Sequence, residues 1–153
     1  MNVEMKKIEK IVVPVDFTSS TNKLVEYALY MAESLKAAVY FIHAVEDYPS
    51  DAMIGSPFAQ EYQEKIFTAS KEKMANLITD SKKKCPECDG EVVFGEPVEQ
   101  IVECAERKNA DLLIVSTHGA KGLEKILLGS VAEHVLKKAH CPVLIMNPFR
   151  NNS

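Results

Sequence analysis

The chain has 153 residues, enough for one domain with a real core. Hydrophobic residues make up 46% and charged residues 26%, with a formal net charge of -4. That balance argues against a nucleic-acid partner, because a general nucleic-acid binder carries a basic field. No apolar run approaches the roughly 20 residues that cross a bilayer, so no membrane partner is expected. The opening MNVEMKKIEK lacks a secretory apolar core, and the expectation is a soluble cytoplasmic protein. Cys85, Cys88, Cys104 and Cys141 do not suggest a disulfide scaffold in a chain this large.

Apolar runs alternate with segments of helical period. The first run, Ile11 to Val15, is β-branched and apolar on both faces, as a buried parallel strand is. Pro14 lacks an N–H, so the strand should end there. DFTSST then offers several N-caps, and Leu24, Ala28, Met31, Ala32 and Leu35 recur at helical spacing. Ala38 to Val45 reads as the second strand. Phe58 to about Lys84 reads as a second helix, with Phe58, Tyr62, Ile66, Met74, Leu77 and Ile78 on one side.

EVVF is a short third strand, and Pro97 suits the first turn of a third helix. Val98, Ile101, Val102 and Ala105 give that helix one apolar face. DLLIVS is the fourth strand, SVAEHVLKKA the fourth helix and PVLIMN the fifth strand. Such alternation means a parallel sheet covered by helices on both faces. Ligands of such sheets bind at the carboxyl ends of the strands, where strand order reverses. The segments to inspect are Asp16 to Thr18, Ala44 to Asp47, and Ser116 onward.

STHGAKGLEKILLGS, Ser116 to Ser130, leaves the fourth strand at that rim. Gly119 and Gly122 permit close backbone approach. Gly129 and Ser130 open the fourth helix, whose free N–H groups and dipole favour an anion. The spacing fits neither the P-loop nor the dinucleotide glycine motif. Ser130 and Glu133 also spell a capping box, so a purely structural turn accounts for the same letters. Asp16 could bind ribose hydroxyls or a metal-bound phosphate, or could cap the first helix or turn the chain locally. His118 could touch a phosphate or face solvent. The pair Cys85 and Cys88 sits in a charged turn with no second pair for zinc. Cys104 and Cys141 read as packing residues.

Taken together, these segments resemble the universal stress protein family. The matching stretches are IVVPVDFT (Ile11 to Thr18), HAVED, GEPVEQIVECAERKNADLLIVSTHG (Gly95 to Gly119) and GLEKILLGSVAEHVLKKAHCPVLIM (Gly122 to Met146). The resemblance implies an α/β fold: an open five-stranded parallel sheet of order 3-2-1-4-5 with two helices on each face. ATP-binding members carry Gly-x-x-Gly, nine residues, then Gly-Ser/Thr. Carried over, Gly119 is the second glycine and Gly129-Ser130 the closing pair, while Ser116 stands at the first glycine position.

The same resemblance places Pro14, Val15 and Asp16 around adenine and ribose, gives Ala44 a backbone contact to adenine and sets Val115 beside the base. Ser116, His118 and Gly119 lie in the loop, and Gly129, Ser130, Val131 and Ala132 face the phosphates. It implies ATP or AMP, with Mg2+ as a candidate companion ion, and a homodimer through the fifth strand, Val143 to Met146. The expected function is a stress-response regulator that binds an adenine nucleotide. A nucleotide-free module acting through a protein partner, and a slow ATP hydrolase, are the alternatives.

Overall fold

Strands and helices alternate strictly in the computed structural model, which describes residues 6–46, 57–117 and 128–149. The elements are β1 (Lys10–Pro14), α1 (Thr21–Leu35), β2 (Ala38–Val45), α2 (Pro57–Ser81), β3 (Asp89–Phe94), α3 (Pro97–Arg107), β4 (Leu112–Ser116), α4 (Ser130–Lys138) and β5 (Val143–Met146). The sheet is parallel throughout, in the order β3-β2-β1-β4-β5. This is the expected order. β1 ends at Pro14, and Val15 adds one further bond by donating its N–H to the Ile42 carbonyl at 2.8 Å.

The central strands are apolar on both sides because both faces are covered. Ile11, Val13, Val39, Phe41 and Ile114 pack with Leu24, Ala28 and Ala32 of α1 and Met74 of α2. Val12, Ile42, Leu113 and Val115 pack with Ile101 and Cys104 of α3 and Ala132 and Val135 of α4. Two helices therefore cover each face. Each large side chain buried this way is worth about 1.5–3 kcal/mol, so the two clusters dominate the fold.

Local sequence sets the helix ends. The Glu96 carboxylate accepts from the Val98 and Glu99 N–H groups at 3.1 and 2.8 Å, and Pro97 follows at the first turn. Lys36 closes α1 in the left-handed region, at φ 55°, and its N–H returns to the last turn.

Two sequence readings change. The apolar side of α2 is buried only in its second half: Met74 is covered, whereas Phe58 and Tyr62 are 73% and 63% exposed. The sheet lies beneath the later turns of the helix, so helical periodicity alone overstated the contact. The Cys85–Cys88 pair, read as lying in a charged turn, is buried in the α1/α2 core. Both thiols point at backbone carbonyls, those of Ala37 and Ile78. Burial pushes the Cys88 thiol up, and that of Cys104 to about 12. These are packing thiols rather than thiolates.

The amino-terminal rim of the sheet is fastened by Asp111. Its Oδ2 accepts from the Glu9 and Lys10 N–H groups at 3.0 and 3.1 Å, and its Oδ1 meets the Lys6 Nζ at 3.0 Å. The carboxylate thus ties the start of β4 to the approach to β1. These bonds hold its pKa below the ordinary aspartate value, with the Glu9 N–H the largest cause.

Candidate nucleotide site

At the carboxyl rim, β1 and β4 are neighbours, yet the crossovers from them run to opposite sides of the sheet. α1 and α2 lie on one face and α3 and α4 on the other. The strand order therefore reverses between β1 and β4, the position at which the ligand cleft of such sheets lies.

One wall of the cleft is the turn after β1. Asp16 Oδ1 accepts from the Thr18 N–H at 3.0 Å, the Thr18 hydroxyl at 2.7 Å and the Thr21 hydroxyl at 3.1 Å. The local-turn reading of Asp16 is therefore met. Only one oxygen is used: among the described residues nothing donates to Oδ2. Phe17 follows at φ 57°, a conformation that costs a non-glycine residue roughly 1–2 kcal/mol. His43 of β2 braces the turn. Its Nδ1 lies 2.7 Å from the Val15 carbonyl, so Nδ1–H is the donor, and its ring lies 4.8 Å from the Phe17 ring. Burial is the main cause that lowers the His43 pKa, which keeps the ring neutral. Sequence reading did not single out His43, because one polar letter inside an apolar strand gives no periodic signal.

The facing wall is the junction of β4 with α4. The Thr117 N–H donates to the Met146 carbonyl at 2.8 Å, and the Gly129 N–H donates to the Thr117 carbonyl at 2.7 Å. The chain thus leaves at Thr117 and returns at Gly129 directly beside it. That bond seats the start of α4 against the end of β4.

The capping box is not formed. Gly129 is the N-cap, with φ -60° and ψ 154°, and Ser130 is the first helical residue. The Glu133 N–H goes to the Gly129 carbonyl at 3.0 Å, and the Glu133 side chain pairs with Lys137. The extended backbone of Gly129 accounts for the shift: the chain enters the helix one residue earlier than a serine cap requires. The Gly129 N–H is already used, so the helix offers the N–H groups of Ser130, Val131 and Ala132. Ser130 and Val131 are exposed and Ala132 is buried. His134 donates Nδ1–H to the Ser130 carbonyl at 2.7 Å, with the Ser130 hydroxyl 3.4 Å away.

Between the walls, Val15 and Val115 are buried at the ends of neighbouring strands, and Pro14, Ala44 and Ser116 are half-buried there. Ser116 pairs with Met146 in the β4–β5 ladder. The structure thus gathers Pro14, Val15, Asp16, Ala44, Val115, Ser116, Gly129, Ser130, Val131 and Ala132 at the carboxyl ends of the strands. His118 and Gly119 lie outside the described residues. Among the described residues no helix is long and apolar enough to cross a membrane.

An open parallel sheet with an acidic turn after its first strand and a helix N-terminus after its fourth defines a class of small α/β proteins with a ligand cleft at the strand ends. Within that class, the family model described as "Universal stress protein family" matches residues 7–147, and the chain belongs to that family. A universal stress protein of Methanocaldococcus jannaschii, MJ0531, is 39% identical over 142 residues, covering 90% of this chain and 81% of that protein. The solved structure of MJ0577, from the same organism, superposes with a TM-score of 0.80 at 29% identity, covering 97% of this chain and all of that one. Two further structures have the same fold: a universal stress protein in complex with cAMP (TM-score 0.63, 23% identity, 94% of this chain and 99% of that one) and one from Archaeoglobus fulgidus in complex with dAMP (TM-score 0.62, 21% identity, 92% and 98%).

Proposed function

We propose that this chain is a single-domain, nucleotide-responsive regulator that binds ATP or AMP at the carboxyl ends of β1, β2 and β4. The observation that carries the reading is the pairing of two complementary walls. Asp16 keeps one carboxylate oxygen for ribose hydroxyls, and the start of α4 presents three N–H groups and the Ser130 hydroxyl to phosphate. The apolar ends of β1 and β4 suit a base between them. The adenine nucleotides bound by two relatives of the same fold support the ligand class. Ser116 adds a Cβ and a hydroxyl where ATP-binding members carry glycine, at the end of β4.

The donor set speaks to magnesium as well. Among the described residues no three acidic, histidine or cysteine side chains come together as a cage. A Mg2+ ion would therefore ride on the phosphates and water, as it does in many nucleotide sites. Its role would be to screen phosphate charge.

Heating the purified protein with ATP, AMP or GTP, with and without Mg2+, tests the reading. A hundredfold excess of ligand over its Kd adds about 2.7 kcal/mol of stability. Adenine nucleotides should raise the Tm and GTP should not. No shift with any adenine nucleotide, together with none found by mass spectrometry in the protein as purified, would overturn the proposal.

Tyr62 on α2, 63% exposed, favours a second reading, in which a protein partner docks on that helix. A homodimer through β5 is proposed as well. All four residues of β5 are only half-buried, and β5 is an edge strand open to pairing with a second copy. Light scattering on wild type and an Ile145→Lys variant tests this. A dimer that becomes a monomer is expected, and a monomeric wild type would contradict it.

A further inference from the structure

We propose that His43 is a positioning residue for nucleotide binding: it fixes the turn that presents Asp16 to the ligand. The proposal rests on the nucleotide reading and adds to it a residue that does not touch the nucleotide. Its basis is that His43 holds both sequence neighbours of Asp16. The imidazole Nδ1–H donates to the Val15 carbonyl at 2.7 Å, and the ring face lies against Phe17 at a tilt of 59°. The Val15 N–H is already bonded to Ile42, so both backbone groups of Val15 are tied to β2. Phe17 in turn sits at positive φ, which a phenylalanine does not adopt without support from its surroundings. The bonds from Thr18 and Thr21 orient the carboxylate, but they come from within the turn itself. His43 is the contact that ties the turn to the sheet on both sides of Asp16.

The bond requires one tautomer. A carbonyl accepts only, so Nδ1 carries the proton. Asp16 and Lys73 are the charged groups that act on the ring, the first favouring and the second opposing its protonation. Lys73 also lies 6.0 Å over the Phe17 ring, so α2 closes the far side of this packing.

The test compares four proteins by calorimetric titration with ATP and with AMP: wild type, Asp16→Ala, His43→Ala and His43→Asn. The asparagine amide nitrogen can occupy the place of Nδ1, so it restores the donor without the ring. His43→Ala should weaken binding roughly tenfold, the low end for losing a supporting contact. His43→Asn should stay within about threefold of wild type, because the bond to Val15 is the larger constraint. Should the alanine variant not fold, His43→Gln replaces it, since its amide reaches only as far as Nε2. A nitrogen-correlated spectrum of wild type should show His43 as the neutral Nδ1–H tautomer.

Wild-type affinity in His43→Ala, with binding lost in Asp16→Ala, would overturn the positioning role and leave the nucleotide reading intact. Equal weakening in the alanine and asparagine variants, in step with loss of Tm, would assign His43 a structural role instead. An Nε2–H tautomer would also overturn it. No binding by wild type would overturn both readings together.

Discussion

Two aspartates stand at opposite rims of the same sheet, and they are used differently. Asp111 at the amino rim has both oxygens engaged, two of the three bonds coming from backbone about a hundred residues away in sequence. Its side chain is 10% exposed. Asp16 at the carboxyl rim is held, among the described residues, by Thr18 and Thr21 just after it, through one oxygen. A carboxylate that closes long-range backbone bonds stabilises the fold. One held locally, with an oxygen that takes no bond from the described residues, is what the proposed nucleotide reading asks of Asp16. The carboxyl rim also carries the cost of Phe17 at positive φ, as binding rims often do.

The sharpest way to separate the rims is to load the carboxyl one with charge. Ser130→Glu puts a carboxylate at the first position of α4, where the dipole tolerates it and a phosphate would not. Nucleotide affinity should fall by at least a hundredfold, or about 2.7 kcal/mol, while the Tm holds or rises slightly. Titration calorimetry and a melting curve on one preparation check both halves.

The converse change is Asp111→Asn. It leaves the rim of the cleft alone and weakens bonds to a charged acceptor, which are worth about 1.5–3 kcal/mol each. Urea unfolding should show a loss of about 1–3 kcal/mol, with the Kd for nucleotide unchanged. A change in Kd would mean the rims are coupled.

Acid should act through the same group. The folded-state pKa of Asp111 is depressed, so its contribution is present above the unfolded value of about 3.9 and is lost as pH falls through the folded value. Stability measured from pH 6 down to pH 2 should fall less steeply in Asp111→Asn than in wild type. Parallel curves would show that the carboxylate is not engaged.

The smallest effect contrasts two positive-φ residues. Lys36 at the end of α1 is exposed and adopts φ 55° only as a helix stop. Lys36→Gly should stabilise by about 0.5–1 kcal/mol without touching affinity. Phe17→Gly relieves the same strain but removes the ring that His43 packs against, so affinity should drop even if the Tm does not.

Much of this was legible from letters. The run Ala38 to Val45 has the bounds of β2, and Pro14 stops β1 because it has no N–H to give. Strand order came from the resemblance, since periodicity does not say which strands are neighbours. What stayed hidden depended on contacts across the sheet. Cys85 and Cys88 sit among lysines and acids in sequence, yet the turn folds onto α1. The Ser-x-x-Glu pattern at Ser130 looks complete, but the extended Gly129 takes the cap one residue earlier. His43 became visible only when β1 and β2 were side by side.

The central claim is that Asp16 and the start of α4 hold one adenine nucleotide between them. Titration of ATP into nucleotide-stripped wild type, Asp16→Ala and Ser130→Glu proteins tests it most directly. The account predicts one site per chain in wild type and heavy loss in both variants, with the ligand-free Tm held in Ser130→Glu and lowered in Asp16→Ala, which also loses the bonds from Thr18 and Thr21. Binding that survives both substitutions, or no binding in wild type, would contradict it.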